Sequence, residues 1–350
     1  MNRTLQNLRD CRLRAGWPWN GRRWRQATPL VAALVVGLLH LQPTRAEPLA
    51  ARATNSVPGE LRMAFSQQLF REFNPADGLA ATKAWLQSLT KRYSAIQTNR
   101  TFLLEDLPAI EKATQRHEFD LVMVLAVEFL ELKHRTPLSP WFTFRRGGPA
   151  GLELVLLTPA NGAGSLGQLR GKRLVVYSAE HSELAALWIE TLLQERYQVR
   201  LPEFFGSVTT DLKPTKAVLP VFFGQRDGCI VTRDAFNVMS EMNPQVARQL
   251  AVRDSSPPLL AAVLCANQHS DPELLRQIHS ALTTAHEDTA AKQILTTFRI
   301  EKLDPFDPQL FENVNQLVQK HAQLCPPSET ALRHQFPPGW KAWTQANPAK

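Results

Sequence analysis

Residues 119–126 read FDLVMVLA, apolar on both sides of a period-two backbone except for Asp120 near the start. A strand buried on both faces has this composition, and such strands belong to sheets covered by helices on either side. Similar runs recur at residues 61–65 (LRMAF), 152–157, 173–177 (RLVVY), 227–231 (DGCIV) and 259–265 (LLAAVLC). Amphipathic stretches separate them. Residues 77–93 place Leu79, Leu86, Leu89 and Tyr93 on one helical face, residues 106–117 form a second helix candidate, and residues 183–197 turn Leu184, Leu187, Trp188 and Leu192 inward. Residues 213–224 read as a further helix interrupted by Pro214 and Pro220, residues 206–210 (GSVTT) as a loop, and residues 159–167 as a Gly-rich turn. This alternation predicts an α/β chain with largely parallel sheets and helices on both faces.

The alternation runs twice, which predicts two lobes. The runs join at residues 152–157 and are closed by residues 259–265, so the chain crosses between the lobes twice. The expected divisions are 1–46 as a signal peptide, 47–157 as the first part of lobe 1, and 158–258 as lobe 2. Residues 259–324 return to lobe 1 with a strand and the C-terminal helices, and 325–350 form a Pro-rich tail. The C-terminal helices begin with Ser270 or Asp271 ahead of Pro272 and Glu273, a capping arrangement, and continue at 290–298 and 308–320. Ligands of open α/β sheets bind beyond the carboxyl ends of the strands. In a two-lobed chain those ends face one cleft, which closes by a hinge.

Charge locates the chain rather than its ligand. The net charge of +8 comes from 40 basic and 32 acidic residues, but residues 1–46 hold eight of the arginines and a single acid, Asp10. The rest is close to neutral and gives no reason to expect a phosphate-tracking surface for nucleic acid. The arginines precede an apolar run at 29–41 (PLVAALVVGLLHL), and Thr44-Arg45-Ala46 follows with small residues at its ends. That layout predicts an export signal cleaved after Ala46 and a soluble body in the periplasm. The run is short for a bilayer span, which takes roughly 20 residues. Cys229, Cys265 and Cys325 remain in the body, an odd number in an oxidising compartment. Cys229 and Cys265 suit either small core positions or a mutual disulfide, and no spacing resembles a metal site.

Several segments, in order, resemble one family. Residues 119–132 (FDLVMVLAVEFLEL) resemble its strand and following helix, with Phe129 where Tyr is common. Residues 166–177 (LGQLRGKRLVVY) resemble its Leu-Asp-Leu-Lys-Gly-Lys-Arg entry to the second lobe. Residues 221–231 (VFFGQRDGCIV) resemble its Val-x-x-Gly-x-x-Asp-Ala segment, and residues 254–260 (Asp-Ser-Ser-Pro-Pro-Leu-Leu) its Ser-x-Pro-x-Pro segment. Over about 58–320 the chain is similar to the phosphonate, phosphite and phosphate group of ABC-transporter periplasmic substrate-binding proteins. The resemblance implies a type 2 periplasmic-binding fold with the ligand cleft between lobes. It implies a binding protein rather than an enzyme, with no cofactor and no metal.

Members of this group hold a tetrahedral oxyanion with hydroxyls and with backbone N–H groups at helix starts, where unpaired donors and the helix dipole favour an anion. On this chain the corresponding place is 178–182, Ser-Ala-Glu-His-Ser, where the family often has Ser-Thr-Ser-Gly. Ser178 and Ser182 offer hydroxyls and His181 a donor or a charge; helix capping by either serine is the ordinary alternative. Ser66 and Gln67 follow the first strand, where turn chemistry also explains them. Val127 and Glu128 follow the 119–126 strand, and Glu128 suits a ligand amine, a basic residue or a solvated helix start. Thr209 and Thr210 add hydroxyls. Arg233 offers a bidentate fork to an oxyanion and Asp234 a helix cap or a partner for a cationic group. The implied partners are a small anionic solute and either the membrane permease of an ABC transporter or, as a sensing component, a membrane sensor kinase. A monomer is the expected state. An enzyme on this fold would want a reactive cysteine or histidine-rich cleft, whereas Cys229 and Cys265 lie inside strands without an adjacent base.

Overall fold

The computed structural model describes residues 59–325, apart from 71–73, 146–150, 179–181 and 298–299. The expected export segment and the tail at 326–350 lie outside the described residues.

Two mixed sheets are built on one plan. The first contains β1 (Glu60–Ser66), β2 (Thr98–Leu104), β3 (Leu121–Leu125) and β4 (Leu138–Arg145), linked by α1 (Pro75–Leu89), α2 (Leu107–Gln115) and α3 (Ala126–Leu132). The chain then runs through β5 (Leu154–Pro159) into the second sheet. That sheet holds β6 (Arg173–Tyr177), β7 (Ser207–Asp211), β8 (Gly228–Thr232) and β9 (Leu250–Ser255). Its helices are α4 (Ser182–Tyr197), α5 (Leu201–Phe204), α6 (Pro214–Phe222), α7 (Arg233–Met242) and α8 (Pro244–Gln249). β10 (Ala262–Asn267) returns to the first sheet, followed by α9 (Pro272–Thr283), α10 (Thr289–Thr297), β11 (Lys302–Pro305) and α11 (Pro308–Leu324).

The strand orders are β11-β4-β10-β3-β1-β2 and β7-β6-β8-β5-β9. In each sheet three parallel strands stand side by side, β2-β1-β3 and β7-β6-β8, and an antiparallel strand borrowed from a crossing, β10 or β5, follows them. The sheets are thus mixed rather than largely parallel. β5 also corrects the first lobe boundary. It pairs with β8 and β9 in the second sheet, so the crossing falls before Leu154 and not after Leu157. Apolarity reports that Leu154, Val155, Leu156 and Leu157 are buried, and is silent on which sheet buries them.

The expected GSVTT loop is a strand. Thr209 and Thr210 lie in β7, paired with Val175 and Val176 of β6. Their β-branched side chains fit an edge strand, where half-burial tolerates polar residues. β2, β4, β9 and β11 escaped the sequence reading for related reasons: they are short, polar or Pro-containing, as in TNRTFLL and LSPWFTFR. Helix starts were clearer. Asn74, Asp106, Asp271 and Asp307 each accept a backbone N–H from the first turn and stand one or two residues before a proline.

The core follows this plan. Leu61, Met63, Phe65, Trp85, Leu86 and Phe142 pack with α9 and α10 residues on one face of the first sheet. Ala217, Val218, Met239 and Val246 cover one face of the second. A third cluster is continuous from Val122, Val124 and Phe129 through Leu154 and Leu156 to Trp188, Ile189 and Phe204, with Leu310, Phe311 and Val314 of α11. The last helix therefore does not belong to the first lobe alone. Phe311 packs against Phe129 of α3 (centroids 5.3 Å apart, rings tilted by 53°), while Lys320 pairs with Glu195 of α4 at 2.7 Å. Beneath that contact Glu190 of α4 is buried, with Arg200 Nε donating to Oε1 at 2.7 Å and His321 Nε2 lying 3.5 Å from Oε2. Burial opposes ionisation of Glu190, but His321 and Arg200 outweigh it and hold the carboxyl below its ordinary value.

Candidate functional site

The crossings themselves are tied together. Leu152 and Leu259 form an isolated antiparallel bridge, exchanging N–H···O bonds of 2.7 and 2.8 Å. Ahead of it Gly151 has φ of +89°, and a β-carbon there would lie 3.0 Å from Leu310 of α11 and 3.3 Å from the Leu259 carbonyl. A left-handed conformation in so close a space requires glycine. Ser256 completes the junction: its hydroxyl accepts the Leu154 N–H at 2.9 Å and donates to the Pro257 carbonyl at 2.7 Å. Asn313 of α11 donates to the Pro258 carbonyl at 2.8 Å. Two short segments held side by side are the geometry of a hinge.

The carboxyl ends of the parallel strands carry the candidate residues. Ser66, the last residue of β1, is fully buried and donates its hydroxyl to Glu128 Oε1 at 2.8 Å, while accepting the Gln68 N–H at 3.2 Å. Glu128 is buried in the first turn of α3, and its other oxygen accepts the Leu125 N–H at 2.9 Å. The structure thus joins two expected residues, and it replaces the solvated helix-start reading of Glu128 with a buried carboxylate. Gln67 opens a 3-10 turn and is exposed, and Val127 packs half-buried against the core.

On the second sheet, Ser178 follows β6 directly and is half-buried, with its N–H donating to the Asp211 carbonyl at the end of β7, 2.9 Å away. Ser182 starts α4, its side chain lies outside the described residues, and so does His181. Thr209 and Thr210 sit within β7, short of its end.

Thr232, last in β8, caps α7 by accepting the Ala235 N–H, so the capping role considered for Asp234 belongs to Thr232; Asp234 lies exposed in the first turn. Arg233 turns its fork onto Glu153, with Nη2–Oε1 at 2.7 Å and Nε–Oε2 at 3.1 Å. The guanidinium's hydrogen bonds hold the Glu153 carboxyl below its ordinary value, and the carboxylate in turn raises Arg233. Sequence reasoning missed Glu153, because 80 positions separate it from Arg233 and nothing local marks the pairing.

Cys229 and Cys265 are free, buried and on different sheets, so they form no mutual disulfide, and burial pushes both thiols far up from their ordinary value. Trp85 and Trp188 are core residues. Among the described residues no group of three or more His, Cys, Asp or Glu side chains is placed to hold a metal, and no helix is long and apolar enough to cross a membrane.

Comparison with known structures agrees with this fold. XAC2383 from Xanthomonas citri, solved with chloride ion, is 18% identical with a TM-score of 0.55, the match covering 76% of this chain and 98% of that one. A binding protein component of an ABC phosphonate transporter from Pseudomonas aeruginosa (PA3383) is 13% identical, TM-score 0.53, over 83% of this chain and 94% of its own. PhnD1 from Prochlorococcus marinus, solved with methylphosphonate, is 15% identical, TM-score 0.52, over 75% and 98%. At these identities the likeness establishes the two-lobed periplasmic-binding fold. A search of curated protein sequences finds no match. The sequence profile described as "ABC transporter, phosphonate, periplasmic substrate-binding protein" matches residues 71–311. Members of that family serve transport by binding substrate in the periplasm and are not enzymes. The chain therefore belongs to the phosphonate-binding family of periplasmic substrate-binding proteins of ABC transporters.

Proposed function

We propose that this chain is exported with cleavage after Ala46, and that as a monomer it captures a small oxyanion of the phosphonate, phosphite and phosphate class for a membrane permease. The observation that carries the reading is the repeated strand plan. Each sheet ends three adjacent parallel strands on one edge, and the hinge at Leu152 and Leu259 joins the two sheets beside those edges. Ligands of α/β sheets bind at such ends. The half-buried hydroxyl of Ser178 and the amides that open α4 suit oxygen atoms of a tetrahedral anion. Ser66 and Glu128 occupy the matching edge of the first sheet, where a buried carboxylate suits a solute that also carries a hydrogen-bond donor or an amine.

A thermal-shift series on the purified protein tests this, with phosphate, phosphite, methylphosphonate, aminoethylphosphonate, sulfate, organosulfonates and small carboxylates. A ligand that binds only the folded state and is present at 100 times its Kd stabilises by about 2.7 kcal/mol, a rise of several degrees. One oxyanion giving that shift is the expected result. Changing Ser178→Ala and Ser182→Ala together is expected to abolish it while leaving the ligand-free melting temperature in place. A shift only with carboxylates would put the solute outside the phosphonate, phosphite and phosphate class.

A further inference from the structure

The ion pair between Glu153 and Arg233 continues the pairing of β5 with β8 in the second sheet, one residue beyond Leu154 and Thr232. Arg233 follows the carboxyl end of β8, the central strand of the second sheet. Glu153 lies between the hinge bridge at Leu152 and the first residue of β5. The pair therefore sits at a strand end of the kind where ligands of α/β sheets bind, one residue from the bridge between the crossings. Both side chains are 31% exposed, so solvent and solute can reach them. The Arg233 fork faces two carboxylate oxygens, and a phosphonate or phosphate offers that fork the same pair of acceptors with more charge.

We propose that Arg233 and Glu153 form an exchangeable latch beside the hinge, in which an arriving oxyanion takes the Arg233 fork from Glu153. This rests on the oxyanion reading above and adds the residue that meets the solute and the carboxylate it competes with. An ion pair this exposed is weakly held, so a more highly charged acceptor displaces it readily. The strand end survives the exchange. The Arg233 N–H still donates to the Glu153 carbonyl at 2.8 Å, and Thr232 still caps α7. Ser255, already a lesser donor to Glu153, remains to receive the released carboxylate.

Titration calorimetry of the full chain with phosphate, phosphite and methylphosphonate tests the latch, alongside Glu153→Gln, Glu153→Asp and Arg233→Gln. Ligand-free melting temperature is the folding control, and the scattering radius of gyration reads closure. Removing the competitor is expected to tighten binding by about threefold or more in Glu153→Gln, with a smaller gain in Glu153→Asp. Arg233→Gln is expected to weaken binding on the order of tenfold and to blunt the fall in radius on adding solute. A purely structural brace predicts no gain in either Glu153 variant. Wild-type binding with unchanged or weaker binding in Glu153→Gln overturns the latch and leaves the oxyanion reading standing. No binding of any of the three anions by wild type or by Glu153→Gln overturns the oxyanion reading, and the latch with it.

Discussion

Asp120 interrupts an otherwise apolar run, and its surroundings explain why. Arg62 of β1 is buried beside it, with Nη2 donating to Oδ1 at 2.7 Å and Nε to Oδ2 at 3.1 Å. The Arg62 N–H also donates to Asp120 at 2.8 Å, and Arg62 Nη1 donates to the His117 carbonyl. Asn267 of β10 closes the group by donating its N–H to the Asp120 carbonyl at 2.9 Å. Each guanidinium nitrogen of Arg62 and both carboxylate oxygens of Asp120 have a partner, which is the condition for a buried charge pair to be tolerated. Removing one partner strands the other. Asp120→Ala is expected to cost about 3–5 kcal/mol, read as a lower urea midpoint with an unchanged slope. Asp120 was visible in the sequence only as an exception to the pattern. Its partner, 58 positions away, was not.

Among the elements, α11 has the widest reach. It touches α3 through Phe311, the hinge through Asn313 and α4 through Lys320 and His321. Its amphipathic period was readable, but a period reports that a face is buried and not what buries it. The contact with α4 carries a titratable group, since Glu190 has a folded value below its unfolded one of about 4.5. Its stabilising contribution is therefore complete above that pH and is lost as pH falls toward the folded value. Denaturant unfolding across that range is expected to show a steeper loss of stability on acidification in wild type than in Glu190→Gln. The same variant should raise hydrogen exchange in α11 before the sheets. Equal pH slopes in the two proteins would place the acid sensitivity elsewhere.

At the scale of the molecule, the three cysteines of the described residues separate compartment from architecture. Cys229 and Cys265 sit in central strands of different sheets, and Cys325 is buried at the end of α11. Among the described residues no covalent bond staples the lobes, so packing and the hinge hold them. A reductant is expected to leave the melting temperature unchanged. Alkylation of Cys229 and Cys265 should proceed only through global unfolding, its rate falling when a solute stabilises the fold. The sequence alone determined the α/β class, the double alternation behind two lobes, the helix starts and the family, because those depend on local period, capping chemistry and short ordered motifs. Only the tertiary structure decided that β5 belongs to the second sheet, that Ser66 meets Glu128, that Glu153 holds Arg233 and that α11 spans the lobes. Those contacts join residues tens of positions apart, and pairing at that separation is selected by the geometry of packing, which no local pattern encodes.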